Sequence, residues 1–154
     1  MGCKYVSLSI ATLHSLAGKI LISHNVSVPN AKSVASALVA AEIDGLTGHG
    51  MARLPSYASQ AWSGKVDGRA RPVIIEVKGA STRIDAANGF AYPASELACE
   101  RLASICKQEG LAGISVYRSH HFGQAGYHAE QLARRGLVGL VFSNSPKAIA
   151  PWGG

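Results

Sequence analysis

No apolar run in this sequence approaches the ~18 residues that a membrane span requires. The opening Met1-Gly2-Cys3-Lys4-Tyr5 also lacks the apolar core and small-residue cleavage site of a secretory leader. Both absences predict a cytoplasmic protein. Cysteine is scarce: there are three residues and no Cys-x-x-Cys pair, which argues against a disulfide framework and against a thiolate metal site. Cys99 and Cys106 are spaced to share one helical face and read as core thiols, at home in a reducing compartment. Acidic residues are outnumbered 9 to 15 by Lys and Arg, for a net charge of +6, yet no basic run is longer than Arg134-Arg135 and aromatics make up only 6%. Nucleic-acid binders gather charge into stripes and interleave it with aromatics, so that class is disfavoured. A basic cleft that attracts small carboxylates uses the same surplus. What is abundant is apolar surface, 47% of the residues, enough for one compact domain with a real core.

The first third reads as helical. Ile10, Leu13, Ala17 and Ile20 follow one apolar face, and Pro29 opens a second helix carrying Val34, Ala35, Leu38 and Ala41 that ends near Asp44-Gly45. After Leu46-Thr47-Gly48-His49-Gly50, a short third helix carries Leu54, Tyr57, Ala58 and Trp62, with Pro55 harmless in its first turn and Gly64 as its stop. The composition changes at the polar connector 65–72. Val73-Ile74-Ile75-Glu76-Val77 is a strand by β-branching, and Thr82 to Ala86 is its hairpin or neighbour. Asn88-Gly89 turns, and Pro93 to Glu109 forms a helix with Leu97, Leu102 and Ile105 inward, capped by Gly110. From Leu111 the expected order is strand, helix 125–135 and a final strand 137–143, a βαβ unit with partly parallel pairing. The predicted class is α/β: a helical N-terminal subdomain, residues 1–64, then an α/β cofactor-binding domain, residues 73–154, with a mixed, partly parallel sheet and crossover helices. No closing element follows the last strand, so that domain is expected to be incomplete and the chain truncated.

Two stretches carry candidate chemistry. Arg118-Ser119-His120-His121-Phe122-Gly123-Gln124-Ala125 joins a strand to a helix, at the sheet edge where helix N-termini converge on ligands. The two histidines are either a proton or cofactor site or a turn that satisfies backbone groups. In Thr47-Gly48-His49-Gly50-Met51-Ala52-Arg53, glycines let a ligand approach, imidazole exchanges protons near neutral pH, and one helical turn would bring His49 and Arg53 to one side. A guanidinium fork binds a carboxylate through two hydrogen bonds, so the pair suits a small hydroxy or keto acid. The plainer alternative is a capping histidine and a solvated arginine. Gly48-x-Gly50 is not a dinucleotide fingerprint, since Arg53 occupies the third glycine position and a helix precedes it.

The stretch Ala41-Glu42-Ile43-Asp44-Gly45-Leu46-Thr47-Gly48-His49-Gly50-Met51-Ala52-Arg53-Leu54-Pro55-Ser56-Tyr57, together with Ser119-His120-His121-Phe122-Gly123 and Ser143-Asn144-Ser145-Pro146 through Pro151-Trp152-Gly153-Gly154, closely resembles the malate/L-lactate dehydrogenase family. That non-Rossmann group includes malate, ureidoglycolate, sulfolactate and diketogulonate oxidoreductases and a cyclic-imine carboxylate reductase. The resemblance covers nearly the whole chain, in the family's order. It implies NAD- or NADP-dependent hydride transfer at the carbon beside a carboxylate of a small 2-hydroxy, 2-oxo or cyclic imino acid. By the same resemblance His49 is the proton donor or acceptor and Arg53 holds the carboxylate. His121, Phe122, Gly123, Gln124 and Ala125 match the cofactor-contacting segment, and Ser145 matches a further cofactor contact. In some members the equivalent of His121 takes the acid–base role instead. Asp85, Asn88 and Gly89 fall in a family-like turn of open role. The family is typically homodimeric and cytoplasmic.

Two departures stand out. Gly48 replaces a serine that in some members helps orient the histidine. Family members also run to roughly twice this length, the further half supplying an acidic relay partner, more of the cofactor pocket and support for the sheet. The alternative reading is a non-catalytic remnant that at most binds cofactor or a full-length partner. On either reading, the 154 residues alone are expected to be marginally stable and without measurable dehydrogenase activity.

Overall fold

The structure is a computed structural model that describes residues 6–144. Helix α1, Ile10–Ser23, opens at Ser9, whose hydroxyl accepts the Thr12 N–H at 3.1 Å and so satisfies one of the helix's free donors. Its apolar face is centred on buried Ala17 and Leu21, with Ile10 left exposed. Helix α2, Val28–Ile43, carries Pro29 in its first turn and is apolar on nearly every side, which makes it the central helix. It buries Ala31, Val34, Leu38 and Ala41 against α1 and its other neighbours. Two 3-10 turns, Thr47–His49 and Met51–Arg53, then lead into α3, Leu54–Trp62. Leu54, Tyr57 and Ala58 point inward, but Trp62 does not. The last residue of its helix, it is 71% exposed and meets the edge of His24, ring centroids 6.1 Å apart.

The connector 65–72 is pinned to α2. The buried Asn30 amide donates to the carbonyls of Gly68 and Ala70 at 3.0 and 2.9 Å. Strand β1, Val73–Lys78, pairs antiparallel with β2, Ser81–Asp85, with an irregularity between Ile74 and Glu76. Strand β2 pairs parallel with β3, Gly113–Tyr117, and the crossover between them is α4, Ala91–Glu109, ended by Gly110 at φ +75°. The sheet order is β1-β2-β3. Helix α5, Ala125–Ala133, follows β3. The main core draws on both sides of the connector, since residues of α1, α2 and α3 pack with Phe90 and Tyr92. A smaller cluster of Ile84, Ala86, Ala94 and Ala98 lies between the sheet and α4.

The parallel βαβ unit is therefore β2-α4-β3, one step earlier in the chain than the sequence suggests. The strand expected over 137–143 does not form. The exposure of these residues alternates, with Val138, Leu140 and Phe142 97%, 78% and 88% exposed while Leu137, Gly139 and Val141 are half-buried. An alternating pattern becomes a strand only with a hydrogen-bonded neighbour, and among the described residues β3 pairs with β2 alone. Cys3, Ser145 and the motif from Pro146 to Gly154 lie outside the described residues. Among those that are described, no helix is long and apolar enough to cross a membrane, and no cluster of three or more His, Cys, Asp or Glu is placed to hold a metal ion.

Candidate active site

Because β2 and β3 are parallel, the turns that follow them leave the sheet at the same edge. Three backbone hydrogen bonds knit them together: Ala86 N–H to Tyr117 C=O at 3.0 Å, Asn88 N–H to Arg118 C=O at 2.8 Å, and His120 N–H to Gly89 C=O at 2.9 Å. Asp85, 7% exposed, is the side-chain anchor. Its carboxylate accepts from Arg118 Nε at 2.9 Å and again from Arg118 Nη2, from Ala87 N–H at 2.8 Å, and from the Tyr117 hydroxyl at 3.2 Å. The Arg118 hydrogen bonds, helped by the Ala87 amide, hold the Asp85 carboxyl down to about 2. Ala87, Asn88 and Arg118 all adopt left-handed backbone conformations at φ +52°, +59° and +50°. This is strain that the surrounding bonds must hold in place. The turn Asp85-Asn88-Gly89 thus has a visible role, fixing the loop that carries the paired histidines.

Those histidines face different ways. His120 turns toward the core, edge-on to Tyr57 and Phe90, and its Nε2 donates to Gln60 Oε1 at 2.6 Å. Its buried Nδ1 has no partner among the described residues, and burial pushes its pKa down to about 4, so it is a neutral packing residue at neutral pH. His121 turns outward and stacks on His49, ring centroids 5.7 Å apart. Its Nδ1 lies 2.7 Å from the Tyr57 hydroxyl and 3.3 Å from the Gly123 N–H. Burial first, then the charges of Arg53 and His49, lower its affinity for a proton.

His49 and Arg53 come not from one turn of α-helix but from the two 3-10 turns, with α3 starting at Leu54. Arg53 reaches back and donates from Nε to the Gly48 carbonyl at 2.6 Å. The turns are seated on α2 by Glu42, whose carboxylate accepts the Met51 N–H at 2.9 Å. Gly50 packs closely there, since a Cβ would run into the Glu42 carboxylate and lie 3.2 Å from its backbone nitrogen. By contrast, a Cβ on Gly48 would meet nothing.

In the segment leading into α5, Phe122 stacks on His128 and its carbonyl accepts from His128 Nε2 at 2.7 Å. Gly123 has φ +75°, and a Cβ on it would lie 2.5 Å from the Tyr92 hydroxyl, so only glycine fits this close turn. Gln124 is the N-cap residue of α5 and donates to Asp44 at 2.9 Å, which ties the segment to the end of α2. Ala125 begins the helix, exposed. His49, Arg53 and His121 thus converge, and the α5 N-terminus opens the same loop. This donor set is cationic or N–H in character and suits an anionic ligand.

Tyr57, Tyr92, Gln60 and Glu42 were not visible as site residues from sequence. Their one signal is chemical: a tyrosine on an apolar helix face must find a partner for its hydroxyl when buried.

Comparison with known proteins places the chain in a family. Residues 8–154 match the family model described as malate/L-lactate dehydrogenase. Over 149 residues the chain is 45% identical to the (2R)-3-sulfolactate dehydrogenase (NADP(+)) of Chromohalobacter salexigens, covering 96% of this chain and 44% of that protein. It is 36% identical to a Δ1-pyrroline-2-carboxylate/Δ1-piperideine-2-carboxylate reductase of Pseudomonas putida, covering 96% and 43%. The crystal structure of Δ1-piperideine-2-carboxylate reductase from Pseudomonas syringae pathovar tomato superposes with a TM-score of 0.81 at 36% identity, covering 86% of this chain and 40% of that one. The chain spans less than half the length of these relatives.

Proposed function

Since the chain belongs to the malate/L-lactate dehydrogenase family, we propose that it forms the substrate-facing part of an NAD- or NADP-dependent oxidoreductase acting on a small 2-hydroxy, 2-oxo or cyclic imino carboxylic acid. One observation carries this reading: residues far apart in sequence, His49 with Arg53 and His121 with its loop, meet at the carboxyl end of the parallel strands. The residues 1–64 then supply acid–base and carboxylate-binding groups, and residues 73–154 the cofactor-contacting segment, including Ser145. A cytoplasmic homodimer accompanies this proposal.

A bound nicotinamide supplies or takes the hydride. The chain's own residues do the rest. Arg53 keeps its guanidinium nitrogens beyond Nε for the substrate carboxylate, its Nε bond to Gly48 holding the fork in place. His49 gives or takes the proton at the reacting oxygen or nitrogen. The segment His121-Phe122-Gly123-Gln124-Ala125 would hold the cofactor, and the N–H groups that open α5 would suit its anionic part.

The test is a chimera in which this chain replaces the corresponding residues of the sulfolactate dehydrogenase it resembles. Oxidation of NADH and NADPH is followed with sulfopyruvate, oxaloacetate, pyruvate and a cyclic imine carboxylate. Turnover that is lost when both His49 and Arg53 are replaced by alanine is the expected result. A folded, cofactor-binding chimera that reduces none of these acids would overturn it and favour a non-catalytic binding role.

A further inference from the structure

The Tyr57 hydroxyl lies between two partners, Tyr92 Oη at 3.1 Å and His121 Nδ1 at 2.7 Å, and both tyrosines are 2% exposed. Among the described residues the Tyr92 hydroxyl has no other hydrogen-bond partner. This row of three polar atoms has few ways to place its protons. If Tyr92 donates to Tyr57, then Tyr57 donates to His121 Nδ1, and every hydroxyl proton has an acceptor. If instead His121 carries a proton on Nδ1 and donates to Tyr57, the Tyr57 proton must go to Tyr92. The Tyr92 proton is then left buried and unpaired, which is costly. The Gly123 N–H, also directed at Nδ1, opposes the second arrangement again, since it would face another N–H.

We propose that Tyr57 is a positioning residue that fixes His121 as the neutral tautomer with its proton on Nε2. His121 is then a permanent N–H donor to an oxygen of bound substrate or cofactor, and the proton exchange belongs to its stacking partner His49. Adding a proton at Nδ1 would break the same row, so the imidazolium is disfavoured as well as the other tautomer. The groups facing His121 are His49 and Arg53 from the 3-10 turns, Tyr57 from α3, Tyr92 through Tyr57 from α4, and His120 beside it. No carboxylate stands among them to reward a positive charge. His49 is under no such constraint: among the described residues neither of its ring nitrogens has a hydrogen-bond partner. The assignment of a ligand to the Nε2 proton rests on the dehydrogenase reading above, whereas the tautomer itself does not.

Long-range proton–nitrogen NMR correlation on the imidazoles of the full 154-residue chain reads the tautomer directly, with His121 identified by the signals lost in His121→Gln. The parent should show a bare Nδ1 and a protonated Nε2 throughout the neutral range. Tyr92→Phe should keep that pattern, because the Tyr57 proton still has Nδ1 as its acceptor. Tyr57→Phe should mix the two tautomers and move the His121 titration to higher pH. A proton on Nδ1 in the parent, or a Tyr57→Phe spectrum unchanged from it, would overturn the proposal. If Tyr57→Phe does not fold, the parent and Tyr92→Phe spectra still decide, since Nδ1 must be bare in both. These spectra involve no turnover. An inactive chimera with the expected spectra would defeat the enzymatic reading alone, and an active one with Nδ1 protonated would defeat only this inference.

Discussion

His49 and His121 lie nearly parallel, ring centroids 5.7 Å apart and planes 21° apart, with Arg53 close enough to weigh on the same imidazole. Two histidines so placed invite the question of which one handles the proton. In the chimera, His49→Ala should lower turnover by about 100-fold or more, the usual scale for loss of a general acid or base. Arg53→Ala should mainly raise KM for the acid, by about tenfold or more, as expected when a charged hydrogen bond is removed. Steady-state kinetics across a pH series separates the two effects. Unchanged turnover in His49→Ala at every pH would remove this side chain from the mechanism.

Asp85 gives a stability prediction at acid pH. Its folded-state pKa, about 2, lies below the ordinary carboxyl value of ~3.9. The pair with Arg118 therefore contributes fully above the unfolded value and is lost as pH falls toward about 2. Asp85→Asn should melt at lower temperature than the parent at neutral pH and show a shallower loss on acidification below pH ~4. Thermal melts followed by circular dichroism read both. Parallel acid profiles for the two proteins would mean that the carboxylate does not anchor the histidine loop.

His120 acts in a separate window. Burial lowers its pKa to about 4, below the ordinary ~6.5. Between these values the unfolded chain takes up a proton that the folded chain refuses, so stability is complete above pH ~6.5 and declines as pH falls toward 4. His121 and His128, also lowered chiefly by burial, add to the same decline. His120→Asn should remove one share of it, leaving a melting temperature less dependent on pH between 6.5 and 4. A slope as steep as the parent's would show that His120 is not the buried neutral group described above.

The helices were legible because their ends are marked: Pro29 in the first turn of α2, Gly110 after α4 and Gly136 after α5 are local signals that need no tertiary partner. The sheet was legible only in part. Composition finds β1, β2 and β3 but does not say which pair is parallel, and α4 rather than α5 turned out to be the parallel crossover. The apolar run of 137–143 is a property of sequence, whereas a strand is a property of two neighbours. The candidate site divides in the same way. His49, Arg53 and the His121 loop stand out by residue type beside glycines. The Tyr92-Tyr57-His121 row joins α4, α3 and the loop after β3, and no local pattern announces a hydroxyl whose partner comes from another element.

Gly48 and Gly50 flank His49 and should respond in opposite ways to a side chain. A Cβ on Gly50 would meet the Glu42 carboxylate that accepts the Met51 N–H, so Gly50→Ala must displace the anchor of the 3-10 turns and should cost about 1–3 kcal/mol. A Cβ on Gly48 meets nothing within 4 Å, and the residue is exposed, so Gly48→Ser carries no packing cost. The serine hydroxyl would stand beside an imidazole that has no hydrogen-bond partner among the described residues, and a partner on one ring nitrogen fixes which nitrogen faces the substrate. Gly48→Ser should therefore leave the melting temperature of the chain near that of the parent and raise turnover of the chimera, while Gly50→Ala lowers both. Calorimetry and the NADPH assay test the pair together. A Gly48→Ser chimera no faster than its parent would show that His49 is already oriented by other means, and that the missing hydroxyl is of no consequence here.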